Sequence, residues 1–339
     1  MQKYSFKNDY SEGCHPSILE KLLTSNTEQL AGYGLDKFSD EAKNAIKNYI
    51  KSPSSEIHFV VGGTQANLIC ISSVLKPYQA VIAAETGHIV VHETGAIEAT
   101  GHKILTVKTT DGKLNPEQIN SVLALHTDEH MVQPKMVYIS NSTEIGSIYT
   151  KSELEDLYLF CQENSLYLFL DGARLGAALT SKSNDLTLED IAKNTDLFYI
   201  GGTKNGALLG EAIVINCKEL QENFRFHIKQ KGAMLAKGRL LGIQFLSLFE
   251  NDLFFELGKK ANDLANKLAE SFIEKGYQFL IKPESNQIFP ILTEAKITEL
   301  ENSFEFYRWE KLENNQSAVR LVTSWATDEQ QIDRFISML

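Results

Sequence analysis

Leu166-Tyr167-Leu168-Phe169-Leu170-Asp171-Gly172-Ala173-Arg174 is the stretch on which the fold of this chain turns. Its first five residues are apolar without alternation, the pattern of a strand buried on both faces. They run directly into a carboxylate, a small-residue turn and a guanidinium. Strands of this kind belong to parallel sheets covered by helices on either side, where ligands bind beyond the carboxyl ends of the strands. Asp171 and Arg174 occupy that position.

Outward from this segment the same alternation repeats. Short β-rich runs are expected over 57–61, 80–83, 103–107 and 136–140 before it, and over 197–200 and 212–215 after it. Helical patterns lie between them over 65–75, 87–94, 115–125 and 152–163. Pro116 suits the first turn of one helix, and Ser152 with Glu155 reads as a capping box on another. The succession predicts an α/β chain with a mainly parallel seven-stranded sheet and helices on both faces. Beyond about residue 223 the pattern changes. A long helix is expected over 224–249, carrying Arg225, Lys229, Lys231, Lys237 and Arg239, and another over 251–275 stopped by Gly276. Short strands over 278–281, 287–292, 305–309 and 319–323 and a last helix over 328–338 make a small α+β unit.

The 339 residues hold 33 Lys and Arg against 44 Asp and Glu, a net charge of −11. That balance argues against a nucleic-acid binder or a membrane-surface protein, though not against a local anion pocket. No apolar run approaches the ~18 residues of a membrane helix, and the start is too polar for a signal peptide. The four cysteines, Cys14, Cys70, Cys161 and Cys217, show no metal-binding spacing and point to a reduced, cytoplasmic protein.

Five polar clusters fall at expected strand ends: 62–64, 85–88, 141–144, 171–174 and 201–204. One pocket shared by all five is the economical reading. Lys204 follows a strand and a Gly-rich turn; there it is either a surface lysine or an amine that burial turns into a nucleophile. A Walker phosphate loop fits badly, because the order is Gly-Thr-Lys-Asn. Asp171 is either half of a structural pair with Arg174 or the carboxylate that holds a proton on a ring nitrogen. Arg174 can fork onto a carboxylate. Gly62-Gly63-Thr64-Gln65 opens a helix whose free N–H groups suit an anion. His88 and His92, four apart on an expected helix, allow a zinc site only with a third ligand, and Glu93 points elsewhere on that helix; stacking of His88 on an aromatic ring is the sharper reading.

Together these residues resemble the aromatic amino acid β-eliminating lyase/threonine aldolase family, and within it the low-specificity L-threonine aldolase type. The likeness runs from about Asn8 to the C-terminus. It is carried by Tyr33-Gly34-Leu35-Asp36, Gly62-Gly63-Thr64-Gln65-Ala66-Asn67, His88-Ile89-Val90-Val91-His92-Glu93-Thr94-Gly95, Leu170-Asp171-Gly172-Ala173-Arg174-Leu175, Gly202-Thr203-Lys204 and Val319-Arg320-Leu321-Val322-Thr323. The resemblance implies the fold-type-I, pyridoxal-phosphate-dependent transferase-like architecture, with a large cofactor domain over 15–245 and a small domain over 246–339 joined by segment 1–14. It implies pyridoxal 5′-phosphate as cofactor, no metal, and a homodimer or homotetramer with sites shared between subunits.

By the same resemblance, Lys204 bonds covalently to the cofactor, Asp171 binds its ring nitrogen, and His88 stacks on the ring as a second catalytic residue. Gly63, Thr64, Gln65 and Thr203 serve the cofactor, with Lys229 at its phosphate, from the same subunit or its neighbour. Arg174 and Arg320 bind the substrate carboxylate, Arg174 also bordering the cofactor, and Tyr33 approaches a neighbour's site. Asn8 stands where the family has a substrate-binding Ser, and Asn141-Ser142-Thr143 where it has Glu-Asn-Thr. The loop 204–210 also departs from the family's sequence. His126 or His130 is the candidate for contact with a substrate hydroxyl. The implied reaction cleaves the Cα–Cβ bond of threonine, allo-threonine or a related β-hydroxy amino acid to glycine and an aldehyde. β-Elimination from another amino acid is the alternative. Two other classes are a binding module that keeps the fold without catalysis and a metal hydrolase built on His88 and His92.

Overall fold

All seven expected strands join one sheet in the computed structural model, which describes residues 3–339. They are β1 (Glu56–Val60), β2 (Gln79–Ala84), β3 (Lys103–Val107), β4 (Gln133–Ser140), β5 (Tyr167–Asp171), β6 (Leu197–Gly201) and β7 (Glu211–Ile215). Their spatial order is β1-β7-β6-β5-β4-β2-β3. From β3 to β6 all neighbours are parallel, and β7 runs against both β6 and β1. The reason is loop length. Residues 202–210 are too few for the crossover that a parallel neighbour needs, so the chain turns back after β6. Lys204 sits in that turn.

The strand read first is buried on both faces, as its composition demands. Leu168 and Leu170 join one apolar cluster and Phe169 the other, each with no exposed surface. Helices Pro16–Thr24, Lys37–Ile50, Lys151–Glu163 and Arg239–Phe249 cover the first face. Helices Gly63–Val74 and Phe224–Gln230 cover the second.

Several expectations are corrected. The capping box before helix Lys151–Glu163 is formed by Thr150 and Glu153, two residues ahead of Ser152 and Glu155. Lys113 Nζ lies 2.5 Å from Glu153 and anchors that choice. The single helix expected over 224–249 is broken between Gln230 and Arg239. Gly232 takes φ +70°, and Gly238 lies so close to Gly34 that a Cβ would stand 2.3 Å from the Gly34 nitrogen. The segment is straightened by its packing against residues 32–34. The two early helices, Pro16–Thr24 and Lys37–Ile50, were not anticipated.

In the C-terminal unit, β8 (Gln287–Ile288), β9 (Ile291–Thr293), β10 (Tyr307–Lys311) and β11 (Gln316–Val322) make an antiparallel sheet in which β8, β9 and β10 all pair with β11. The strand expected over 287–292 is split at Pro290, which has no N–H to donate to a ladder. The strand expected over 278–281 reduces to one bridge between Phe279 and Pro290. The short strand Phe304–Glu305 pairs in parallel with Tyr4–Ser5. Phe6 then enters the apolar cluster of this unit beside Phe304 and Phe335. Helix Leu253–Glu274 serves both cores. Phe254 and Leu257 pack with the large sheet, whereas Leu264, Leu268 and Phe272 pack with the small one.

Candidate active site

A cleft of about 690 Å³ opens beyond the carboxyl ends of the parallel strands. Each of the five polar clusters contributes to its wall: Gly63 and Thr64, His88, Ser142 and Glu144, Asp171 and Arg174, Thr203 and Lys204. The small sheet supplies the opposite wall with Tyr307, Trp309 and Arg320. A volume of this size suits a small cofactor and a substrate together.

Asp171 ends β5 with its carboxylate buried and fully engaged. Oδ2 accepts from the Tyr138 hydroxyl at 2.6 Å and from Asn67 Nδ2 at 3.1 Å, and Oδ1 accepts from the Ala173 N–H at 2.9 Å. Burial alone would raise its pKa. The His88 charge and the donors around it outweigh that, so the carboxyl is held below its usual range and stays ionised. Asn67 also donates to the buried Glu93 at 2.7 Å, and Glu93 Oε1 lies 2.8 Å from His88 Nδ1. One chain of hydrogen bonds therefore links Asp171 to the orientation of the His88 ring. Glu93 can play this part because helix His88–Val91 ends before it.

The Lys204 amine makes no hydrogen bond and no ion pair among the described residues. Burial, reinforced by the nearby Arg174 charge, lowers its pKa. Thr203 Oγ1 donates to Glu211 Oε1 at 3.0 Å and accepts from the Gly210 N–H at 3.0 Å, fixing the turn that presents the amine. Burial raises the Glu211 carboxyl above its ordinary range.

Helix Gly63–Val74 starts at the cleft with Gly62 as a cap that offers no side chain. The N–H groups of Gly63, Thr64 and Gln65 have no acceptor among the described residues. They form an anion cradle at the positive end of the helix. A Cβ on Gly63 would stand 3.1 Å from the Tyr199 hydroxyl, so a side chain there would crowd the cradle.

Arg174 is held side-on by the buried Asp9. Nε to Oδ2 is 2.8 Å and Nη2 to Oδ1 is 3.1 Å, leaving Nη1 without an acceptor among the described residues. Asn286 supports Asp9 from the small unit at 2.9 Å. Arg320 lies between the Tyr307 and Trp309 rings, 5.1 and 5.2 Å from their centroids. Its buried Nε has no partner. Two guanidiniums with spare donors thus face one another across the cleft, as a carboxylate ligand requires.

Other expected residues lie elsewhere. The Gln65 side chain folds back onto the Val61 N–H at 3.1 Å, so only its backbone faces the cradle. Asn8 turns away, accepting from the Tyr10 N–H and the Ser11 hydroxyl. Its neighbour Asp9 reaches Arg174 instead. Lys229 and Tyr33 meet each other at the surface, the ammonium 4.9 Å from the ring centroid, outside this chain's own cleft. His126 caps a helix end with Nδ1 2.9 Å from the Val122 carbonyl, and His130 sits in an exposed turn. Neither lines the cleft. His92 does, with its ring centroid 5.5 Å from that of His88.

Sequence reading passed over Asp9, Asn67, Tyr138, Glu211, Tyr307 and Trp309 as site residues, placed Glu144 in a strand-end cluster without a role, and set Glu93 aside. Asp9 could have been found, since it is the acidic residue of the N-terminal run that the resemblance covers. Asn67 lies inside a quoted motif, one helical turn after Gly63. The two aromatic residues of β10 carry no local signal.

Residues 15–295 match the model of the family described as beta-eliminating lyase. A low-specificity L-threonine aldolase of a Pseudomonas species is 30% identical over 338 residues, covering 98% of this chain and 95% of that protein. The solved structure of a threonine aldolase from Leishmania major superposes with a TM-score of 0.97 at 51% identity, covering 98% of each chain. An aspartate aminotransferase from Thermus thermophilus shares the fold alone, with a TM-score of 0.72 at 14% identity over 99% of this chain and 90% of that one.

Proposed function

The chain belongs to the β-eliminating lyase family, and from that premise and the geometry of its cleft we propose that it is a pyridoxal-phosphate-dependent aldolase. It cleaves the Cα–Cβ bond of L-threonine, L-allo-threonine or a related β-hydroxy-α-amino acid to give glycine and an aldehyde. Its fold is that of the fold-type-I pyridoxal-phosphate enzymes. The observation that carries the reading is the unpaired Lys204 amine, set in one cleft with the ionised Asp171 and two guanidiniums that have donors to spare.

The residues present fit the cofactor. The free N–H groups at the start of helix Gly63–Val74 suit its phosphate, and the absence of a Cβ at Gly63 leaves room for it. Thr203 steadies the loop beside it. Asp171 can accept the proton of a ring nitrogen, and His88, oriented by Glu93, offers a flat face to a ring. Pyridoxal phosphate, when bound, supplies an aldehyde for covalent attachment to an amine and a ring that draws electrons from Cα.

The rest is positioning by the protein. Lys204 would hold the cofactor covalently through its unpaired amine. Arg174 and Arg320 would take the α-carboxylate and so fix the orientation of the bonds at Cα. A base must accept the β-hydroxyl proton. Tyr33 and Lys229, paired at the surface, are assigned to a neighbouring subunit's site, which supports a homodimer or homotetramer. The large domain is taken as 15–245 and the small one as 246–339 with 1–14. No helix among the described residues is long and apolar enough to cross a membrane, and the four cysteines are unpaired. Both facts support a cytoplasmic setting.

The test is product analysis of the loaded enzyme with L-threonine. Glycine and acetaldehyde are expected; pyruvate-type keto acid and ammonia would replace the aldol reading with β-elimination. A Lys204→Ala variant should lose turnover, and wild-type rates in it would sink the assignment.

A further inference from the structure

Opening the Cα–Cβ bond requires a base inside the cleft, and the inference here rests on the aldol reading above. His126 and His130 do not line the cleft. His88 commits Nδ1 to Glu93. Burial and the surrounding charges of His88, Arg320, Lys204 and Arg174 lower the pKa of His92, whose ring lies against that of His88. Three carboxylates line the wall: Asp171 and Glu211 have both oxygens engaged, Glu211 by the Thr203 hydroxyl and the Gly202 N–H, whereas among the described residues Glu144 keeps one free. We propose that Glu144 is the general base that takes the β-hydroxyl proton of the substrate.

Glu144 follows β4 in the loop that closes the base of the cleft. Its Oε1 accepts from the Ser140 hydroxyl at 2.7 Å and from the His88 backbone N–H at 2.8 Å. These two bonds fix the plane of the carboxylate. Oε2 takes no hydrogen bond from the described residues, and no cation lies within ion-pair distance of either oxygen among them. The residue keeps some surface, and that surface belongs to the cleft. A carboxylate so enclosed is normally paired. One left with a free oxygen toward a substrate site has the form of a catalytic group.

The electrostatics agree. The titratable groups facing Glu144 are Asp171 at the end of β5, Tyr138 on β4, Tyr149 beyond the loop, His88 on the adjoining turn and Arg174 after β5. Burial is the largest influence and raises its pKa, and the Asp171 charge raises it further; the Ser140 and backbone donors offset only part. The shift is toward neutrality, where a carboxylate becomes a more effective base.

In the step assigned to it, Oε2 accepts the hydroxyl proton. The electron pair of that O–H bond becomes the second bond of the aldehyde carbonyl. The Cα–Cβ pair passes to Cα, and the aldehyde departs. Ser140 and the His88 N–H hold the carboxylate still throughout.

Glu144→Gln tests this, because its amide oxygen can still accept from Ser140 and His88 while its nitrogen cannot take a proton. Expected is a fall of about 10²-fold or more in kcat for L-threonine. The acidic limb of the wild-type pH profile should vanish. The affinity for pyridoxal phosphate and the exchange of the glycine α-proton with solvent, which involves no β-hydroxyl, should stay within about threefold, a spread worth under 1 kcal/mol. Infrared difference titration of the holoenzyme should lose one protonated-carboxyl band above the ordinary glutamate range. Threonine cleavage by Glu144→Gln at wild-type rates overturns the proposal. So does joint loss of cofactor affinity and glycine exchange, which would make Glu144 a support for His88. An acidic limb that persists in Glu144→Gln but disappears in His92→Asn overturns it as well. A wild-type enzyme that releases no glycine from threonine would instead refute the aldol reading itself.

Discussion

Replacing Asp9 by Ala isolates the contact on which the proposed carboxylate subsite stands. Asp9 is buried and forks onto Arg174, with a third hydrogen bond from Asn286. Two unit charges about 4 Å apart attract by about 4 kcal/mol at an effective dielectric of 20. Removing one partner of a buried pair costs about 3–5 kcal/mol, because the other charge is left uncompensated. Arg174 has no second carboxylate within ion-pair distance among the described residues. The expected loss is therefore about 3–5 kcal/mol, from a total that for a native protein is about 5–15. Equilibrium urea unfolding at pH 7 measures it as a lower midpoint at an unchanged slope. The pH dependence carries a sign. Arg174 and the donors hold the Asp9 carboxyl below its ordinary pKa despite its burial. The stability it contributes is then fully present above the unfolded value of roughly 3.9 and is lost as pH falls through the lower folded value. The gap between wild type and Asp9→Ala should hold from neutral pH to roughly 4 and close below it. A loss under about 1 kcal/mol at pH 7 would show that Arg174 is solvated in the empty cleft and refute the reasoning.

Three further outcomes follow from the same geometry. Gly63→Ala, with its new Cβ 3.1 Å from the Tyr199 hydroxyl, should weaken pyridoxal-phosphate binding about tenfold in an absorbance titration, about 1.4 kcal/mol, with little effect on folding; unchanged affinity would move the phosphate away from this helix. Tyr138→Phe removes the 2.6 Å bond to Asp171 and about 1.5–3 kcal/mol of charge-assisted stabilisation. The Asp171 pKa should rise, which a displaced acidic limb of the cofactor's absorbance titration would report. Cys70, buried with its thiol pushed well up by desolvation and then by Asp171, should resist iodoacetamide in the native protein and react on unfolding; rapid native labelling by mass spectrometry would contradict its placement.

What could be read from sequence divides along a physical line. β5 was legible because burial on both faces leaves an unbroken apolar run, and Asp171 and Lys204 were legible because they terminate such runs. The break between Gln230 and Arg239 was not, since its cause is the close approach of Gly238 to Gly34, some 200 residues earlier in the chain. The same holds within the site. Asp9, Glu93 and Asn67 matter through partners on other elements, and no periodicity records a hydrogen bond between distant segments. Tyr307 and Trp309 alternate on an ordinary edge-like strand, and only the fold turns them toward Arg320. The histidine contact expected at His126 or His130 failed for a different reason. The resemblance offered both without choosing, and the fold puts one at a helix end and the other in an exposed turn.

The charge balance shows why whole-chain arithmetic and site chemistry part company. A net charge of −11 disfavours polyanionic partners, yet the proposed ligands are a phosphate and a carboxylate. Fields from surface charges fade within about 8 Å at physiological ionic strength, so the cleft answers to its own walls. There the phosphate subsite relies on backbone N–H groups, which carry no net charge and need no counterion. The carboxylate subsite relies on Arg174 and Arg320, and these are treated unequally. Arg174 is neutralised by Asp9 and so can remain buried before substrate arrives. Arg320 has only ring faces and the Lys7 carbonyl, and burial together with Arg174 lowers its pKa. An arriving carboxylate relieves Arg320 more than Arg174. Arg320 is carried by the small unit and Arg174 is tied through Asp9 to the N-terminal segment, so the two donors reach the cleft from different parts of the fold.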